Sequence, residues 1–436
     1  MNSKNLVTTF ENARQYFPAL SDDVDQNKLS YFDNSAGTQV SNYVIDNITN
    51  FLINHNAQKG TIFKREEWMS QKIVEARQLA ADFIGAKDHT EIAIGLNAST
   101  FFQMLGYELG QDLDAGDHVI VTDTGHWSNI DPWQALTDKG VHVHVWQPDS
   151  HGNLDYEQFG ELLTLAPKIV AAGWVSNATG TIFDMKKITK MAHEAGALVI
   201  ADAVQQVPHL PTAIKDADVD FAAFSSYKIF GPHLGFCYFN RDHLDRLDGY
   251  RMRDSLTHDA TAFEIGTQNH EGILGFKGAM DYLSQLYNDA LRNGLSEQEI
   301  PLSPDVSPKR QALYSAMYWV KEYEQMLSDY FLEQLEKLPH VELYGEWSRD
   351  KLASRVPVFS FNLEGWRPEE IGEKLDGFGI EARTGNFHNA VVKHLAKRFN
   401  GSAVRISMIH YNSFAEIDYL FQCLEQMVTD HVESGS

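Results

Sequence analysis

Between Thr90 and Tyr238 the chain alternates two hydrophobic periods. Short β-rich runs, EIAIGL, DHVIVTD, VHVHVW, KIVAAGWVS, ALVIADA, DFAAFSS and GFCYFN, are separated by stretches with apolar residues at helical spacing, such as 101–108, 156–165 and 185–195. The last of these stops at Gly196, where a C-terminal cap is expected. Strands interleaved with helices predict an α/β fold, a large domain with a mostly parallel seven-stranded sheet covered by helices. Near Arg292 the pattern changes. The stretch 293–308, NGLSEQEIPLSPDVSP, reads as a connection. Beyond it, 311–338 has a long helical pattern, VPVFSFNL a strand, RPEEIGEKLDGFG a helix ended by glycine, and AVRISMI another strand. Phe414, Ile417, Leu420, Phe421 and Leu424 then mark an amphipathic tail helix. The predicted division is an N-terminal segment 1–30, a large domain 31–291, a connection 292–310 and a small C-terminal α+β domain 311–436.

Composition narrows the functions available to such a chain. Its 436 residues are 43% hydrophobic and 22% charged, which supports real cores and excludes global disorder. Lys and Arg number 36 against 60 Asp and Glu, a net charge of −24. That balance argues against nonspecific binding to nucleic acid or an anionic membrane, both of which reward clustered positive charge. Two cysteines, Cys237 and Cys423, cannot build a disulfide framework or a cysteine-rich zinc site, and they fit a reducing compartment. The N-terminus MNSKNLVTTFENARQYF has no apolar core of signal-peptide length, and no stretch approaches the roughly 18 apolar residues of a membrane span. A cytoplasmic protein is expected. His142 and His144 share one face of a predicted strand, but no third ligand stands at a recognisable spacing, so no metal is expected. No G-x-G-x-x-G follows the first strand of a βαβ unit, which disfavours a dinucleotide site.

Candidate chemistry lies at the ends of two successive strands. Asp202 closes ALVIAD and Lys228 follows FAAFSSY, both where open α/β sheets gather their ligands. Together they suit pyridoxal phosphate, whose aldehyde takes a lysine amine and whose ring nitrogen needs an acidic partner. Asn97-Ala98-Ser99-Thr100 follows EIAIGL and opens a helix, as an anion site requires. Ser225 and Tyr227 add hydroxyl donors, and His126 offers a flat ring to stack on the cofactor.

The stretches YFDNSAGT, GHWSNIDPW, VSNATGTIFD, IADAVQQVPH, SSYKIFGPHLG, FEIGTQNHE and VRISMIHYNSFAEID resemble, in order, the motifs of class V aminotransferases, most closely the cysteine desulfurase branch. The resemblance runs from Tyr31 to the C-terminal helix and implies a fold type I pyridoxal-phosphate enzyme. It implies Lys228 as the Schiff-base lysine, Asp202 as partner of the pyridine nitrogen and His126 as the stacking residue. By the same resemblance Asn177 and Gln205 meet the phenolic oxygen. Ala98, Ser99, Thr100 and Ser225 match the phosphate cradle, and Tyr227 stands where a histidine often precedes the lysine. Thr267 resembles the threonine that reaches the neighbouring subunit's phosphate, which implies a homodimer with shared sites. Arg405 matches the arginine that pairs with the substrate α-carboxylate, a task suited to its planar fork. Asn34, Arg383 and His388 complete the candidate substrate contacts.

The sequence departs from that pattern at one decisive position. Cysteine desulfurases carry R-x-G-x-x-C on a mobile loop. Here the segment reads Arg383-Thr384-Gly385-Asn386-Phe387-His388, with histidine in the cysteine position. Cys237 in GFCYF and Cys423 in the tail helix read as core residues. The expectation is therefore an amino-acid aminotransferase or C–S/β-elimination lyase that takes the Cα proton with Lys228, without persulfide formation. A racemase or epimerase, or a non-catalytic regulatory protein on the same fold, is the alternative. His55, Gln58 and Lys59 replace a family His-Arg-Gly segment and are expected at the substrate entrance.

Overall fold

The computed structural model describes all residues except 1–2, 22–28, 246, 248, 250–257, 302–305 and 435–436. All seven β-rich runs become strands: β2 (Ile92–Gly95), β3 (His118–Thr122), β4 (His142–Trp146), β5 (Ile169–Gly173), β6 (Leu198–Asp202), β7 (Phe221–Ser225) and β8 (Gly235–Phe239), after a short β1 (Ser30–Tyr31). They form one sheet in the order β2-β8-β7-β6-β5-β3-β4. The pairs from β4 through β7 are parallel, and β8 runs antiparallel to both β7 and β2. Strands β5, β7 and β8 are buried along their whole length, which is why they read as unbroken apolar runs rather than alternating ones.

The pairing register brings the future site together. Gly173 lies opposite Asp202, and Asp202 opposite Ala223. Ser225 lies opposite Gly235, which pairs in turn with Gly95. The ends of β2, β5, β6 and β7 thus share one edge of the sheet. Gly235 is required for this, since a Cβ there would stand 2.5 Å from the backbone of Asn97, just before the helix Ala98–Gln111.

The smaller sheet has the order β12-β13-β10-β9, all antiparallel, from β9 (Val341–Tyr344), β10 (Val358–Leu363), β12 (Arg383–Gly385) and β13 (Ala403–Ser407). The predicted helix at 311–338 spans Pro308–Leu335, started by Ser307, whose side chain accepts from the Arg310 N–H. Its N-terminal neighbour His270–Arg292 packs against it. Residues 302–305 of the predicted connection lie outside the described residues. At the other end of the chain, β1 pairs in parallel with β11 (Ile380–Glu381). The Ser407 N–H donates to Phe32 O (2.7 Å) and Thr38 N–H to Tyr227 O (3.0 Å). Residues 30–38 therefore join the small sheet to the Lys228 turn. Among the described residues no helix is long and apolar enough to cross a membrane.

Candidate active site

A cavity opens at the shared sheet edge, lined by Ala98, Ser99, His126, Ser128, Val175, Asn177, Asp202, Val204, Gln205, Ser225, Tyr227 and Lys228. Nine of the eleven residues assigned above to the cofactor are in that lining. The other two, Thr100 and Thr267, line a second, mostly apolar hollow. The Thr100 hydroxyl is held by Asn97 Oδ1 at 3.0 Å as part of the helix cap.

Each lining group is fixed by short-range structure. Ser225 Oγ accepts the Ala98 N–H (3.0 Å), tying the end of β7 to the first turn of the helix after β2. Ala98 and Ser99 open that helix beside Ser225 and Tyr227, which leaves hydroxyls and a helix N-terminus for an anion. Asp202 Oδ1 accepts the Val204 N–H (3.0 Å), and burial pushes its carboxyl up to about 6 despite the opposing pull of Lys228. His126 caps a short turn: its Nδ1 lies 2.8 Å from Ser128 Oγ and accepts the Ser128 N–H (3.1 Å). Burial, with Lys228, His388 and Arg405 nearby, pulls the imidazole down to about 4, so a neutral, flat ring faces the cavity at neutral pH.

The Lys228 ammonium donates to Ser35 O and to Ala36 O (3.2 Å) on the N-terminal segment. Burial, reinforced by Arg405 and opposed by Asp33 and Asp202, lowers it to about 7. A neutral amine is therefore well populated near neutrality, as a nucleophile or proton acceptor needs. Gln205 donates to the same Ser35 O (3.0 Å), while its buried Oε1 has no partner.

Outside the cavity lining, and joined to it through the Asn177 carbonyl, stands a carboxylate shared by two arginines; Asp33 and Arg383 line a separate surface hollow. Arg383 and Arg405 are register partners on β12 and β13. Arg383 reaches Asp33 Oδ2 through Nε (2.9 Å) and Nη2 (2.5 Å), and Arg405 Nη2 reaches Asp33 Oδ1 (3.1 Å). Arg405 Nη1 donates to Asn177 O (3.0 Å), its guanidinium lies 4.6 Å from the Phe387 ring centroid, and its buried Nε has no partner. The His388 ring lies 5.7 Å from that of His126.

Several expectations need relocating, since none of the four expected substrate contacts, Asn34, Arg383, His388 and Arg405, is in the cavity lining. Asn34 does not line the cavity: its amide donates to Ser407 O (2.7 Å) and Asn412 Oδ1 (3.1 Å) and accepts from the Tyr411 hydroxyl, so it clamps the N-terminal segment to β13. His55 stacks on Trp68 with centroids 4.0 Å apart, and neither it, Gln58 nor Lys59 lines the cavity. His118 joins the strand histidines, its Nδ1 2.8 Å from His144 Nε2 and its ring stacked on His142. Residues that sequence reasoning missed are Ser128, Asp33 and Asn389. Asp33 sits in the quoted YFDNSAGT and Asn389 directly precedes a helix, so both carried a local signal without a partner to interpret it.

The lining fits pyridoxal phosphate on its own terms. It combines a helix N-terminus with hydroxyls for a dianion, a buried carboxyl, a neutral flat ring, an unpartnered amide oxygen and a lysine whose amine is partly deprotonated. The profile described as Aminotransferase class-V matches residues 30–298 and 315–420. The aminotransferase-like protein FGM3 of Gibberella zeae is 32% identical over 96% of this chain and 98% of its own length. A cysteine desulfurase of Serratia proteamaculans is 29% identical over 96% of this chain and 98% of its own. Among solved structures, the apo cysteine desulfurase of Thermococcus onnurineus superposes with a TM-score of 0.82 at 27% identity, covering 96% of this chain and 98% of that one. The chain therefore belongs to the class V aminotransferases, a family of pyridoxal-phosphate-dependent enzymes.

Proposed function

We propose that this enzyme acts on an amino acid as an aminotransferase or a C–S/β-elimination lyase and does not form a persulfide. The observation that carries this reading is His388, which stands where the desulfurase motif has its cysteine. Neither thiol replaces it. Cys237 is wholly buried in β8, where burial pushes its thiol well above the ordinary value, and Cys423 is buried in the helix Phe414–Ser434. The relatives named cysteine desulfurases weigh for the opposite outcome, and the aminotransferase-like relative weighs for this one.

When bound, pyridoxal phosphate supplies an aldehyde for a lysine amine and a ring that withdraws electrons from the substrate Cα. Ala98, Ser99, Ser225 and Tyr227 hold its phosphate, Asp202 its ring nitrogen, Asn177 and Gln205 its phenolic oxygen, and His126 its face. Lys228 takes the Cα proton, and Arg405 orients the α-carboxylate. Arg405→Lys removes the fork but keeps the charge, and is expected to raise KM by about 10–100-fold, the worth of a charged hydrogen bond. Steady-state kinetics check this; an unchanged KM removes Arg405 from the substrate site.

A panel of amino acids, with and without a 2-oxo acid, tests the reaction type. Ammonia and pyruvate formed without acceptor mark the lyase, while acceptor-dependent amino transfer marks the aminotransferase. A protein-bound persulfide with cysteine as substrate sinks the proposal, and solvent deuterium entering Cα without net product marks a racemase. The domain division at 31, 292 and 311, and a cytoplasmic location, complete the reading. A homodimer accords with the hollow beside Thr267, where Leu96 and Ile265 are exposed. A solution mass near 49.3 kDa instead of twice that value overturns it.

A further inference from the structure

Phe387 and His388 both have left-handed backbone, with φ of 56° and 52°. Such a conformation costs a non-glycine residue about 1 kcal/mol or more and persists only where the surroundings impose it. Here the surroundings centre on Asn389, which is fully buried. Its Nδ2 donates to Thr124 O (2.8 Å) and Asn177 Oδ1 (2.7 Å), and its Oδ1 accepts the Val391 N–H (2.9 Å), capping the helix Ala390–Leu395. Asn177 Nδ2 then donates to Phe387 O (2.9 Å), and the Trp127 N–H to His388 O (2.9 Å). His126 and Asn389 also form an isolated antiparallel bridge.

This web ends on Arg405. The Phe387 ring that it pins lies against the guanidinium, and the Asn177 carbonyl holds Nη1. Nε is left buried without a partner. We propose that Asn389 is a positioning residue: it fastens the 386–389 segment to the cavity residues His126 and Asn177 and, through Asn177 and Phe387, holds Arg405 with Nε free for a ligand carboxylate. This inference rests on the reading of Arg405 as the carboxylate site.

Asn389→Ser and Asn389→Asp both keep an acceptor for the Val391 N–H while losing the two Nδ2 donations, so a mere helix cap survives in each. Two measurements on the cofactor-loaded protein decide. Hydrogen exchange at the Trp127 amide is expected to rise about tenfold in the variants. Affinity is read from cofactor absorbance with L-alanine and L-alaninamide as probes. Wild type is expected to favour the carboxylate by about tenfold or more, and the variants to lose most of that preference while binding the amide equally well. Wild type without a preference overturns the Arg405 reading and the inference with it. Wild type with a preference that both variants retain overturns the inference alone, as does unchanged exchange at Trp127.

Discussion

Replacing Lys228 by alanine is expected to lower amino-acid turnover by about 10²–10⁴-fold, the range for loss of a positioned proton-transfer group, and to abolish the near-visible absorbance band of the loaded enzyme. A second effect has the opposite sign. Lys228→Met, which fills the same space without a charge, is expected to stabilise the cofactor-free protein. In the unfolded chain the lysine keeps its proton up to its ordinary value of 10.5, whereas in the folded protein it is lowered to about 7, chiefly by burial. Between those values the unfolded state binds more protons, so wild-type stability rises with pH. The advantage of Lys228→Met is therefore greatest below about pH 7 and fades toward pH 10.5. With each pKa unit worth ~1.4 kcal/mol and the site only partly closed, an effect of about 1–3 kcal/mol is expected. Thermal melts of the cofactor-free proteins at about pH 6 and about pH 10 measure it. A variant less stable than wild type at the lower pH contradicts the burial argument, and retained turnover removes Lys228 from its role.

The strong charge balance makes that local environment more pointed. At −24 overall, the chain offers a phosphate no favourable global field. What it offers is local: a helix N-terminus, hydroxyls, and a lysine flanked by two arginines and two carboxylates.

The sheet was legible because its strands obey a simple rule. Runs such as FAAFS are apolar without alternation since both faces are covered, and a charged or hydroxyl residue at the ends of β3, β6 and β7 marks the ligand edge. Asp202, Ser225 and Lys228 could be placed on that ground alone. Asn389 and Asp33 could not, because their partners Thr124 and Arg405 lie 265 and 372 residues away in sequence. Asn34 shows the converse error: a polar residue inside a site motif whose amide is spent on Ser407 and Asn412. Thr100 failed likewise, since the Asn97 cap competes for its hydroxyl. The helix His270–Arg292 was obscured by Gly272, Gly275 and Gly278, poor helix formers at single positions. Gly278 is there for contact, as a Cβ would stand 2.5 Å from Tyr43 O.

Glu324 is expected to be as costly to remove as Lys228, but for the fold. It sits on Pro308–Leu335 with its Oε2 2.7 Å from His209 Nδ1, both side chains 2% exposed. The His410 backbone lies beside the same carboxyl, whose buried Oε1 has no partner, and His410 Nε2 lies 2.6 Å from the Tyr282 hydroxyl. Three distant segments therefore meet at one buried carboxyl, and Tyr282 joins them through His410. Glu324→Ala strands His209 and opens a cavity, at a cost of about 3–5 kcal/mol. Glu324→Gln keeps shape and an acceptor, and is expected within about 1 kcal/mol of wild type under acid conditions. Its standing improves with pH. Burial raises Glu324 from 4.5 to about 7, even against the pull of His209, so the folded state holds a proton that the unfolded state has released. Wild-type stability is complete below about 4.5 and declines as pH rises through about 7, whereas the glutamine variant lacks that decline. Urea unfolding at about pH 5 and about pH 8 resolves the two variants. Equal destabilisation by glutamine and alanine at both pH values sinks the proposal that a neutral, hydrogen-bonded carboxyl holds these segments together.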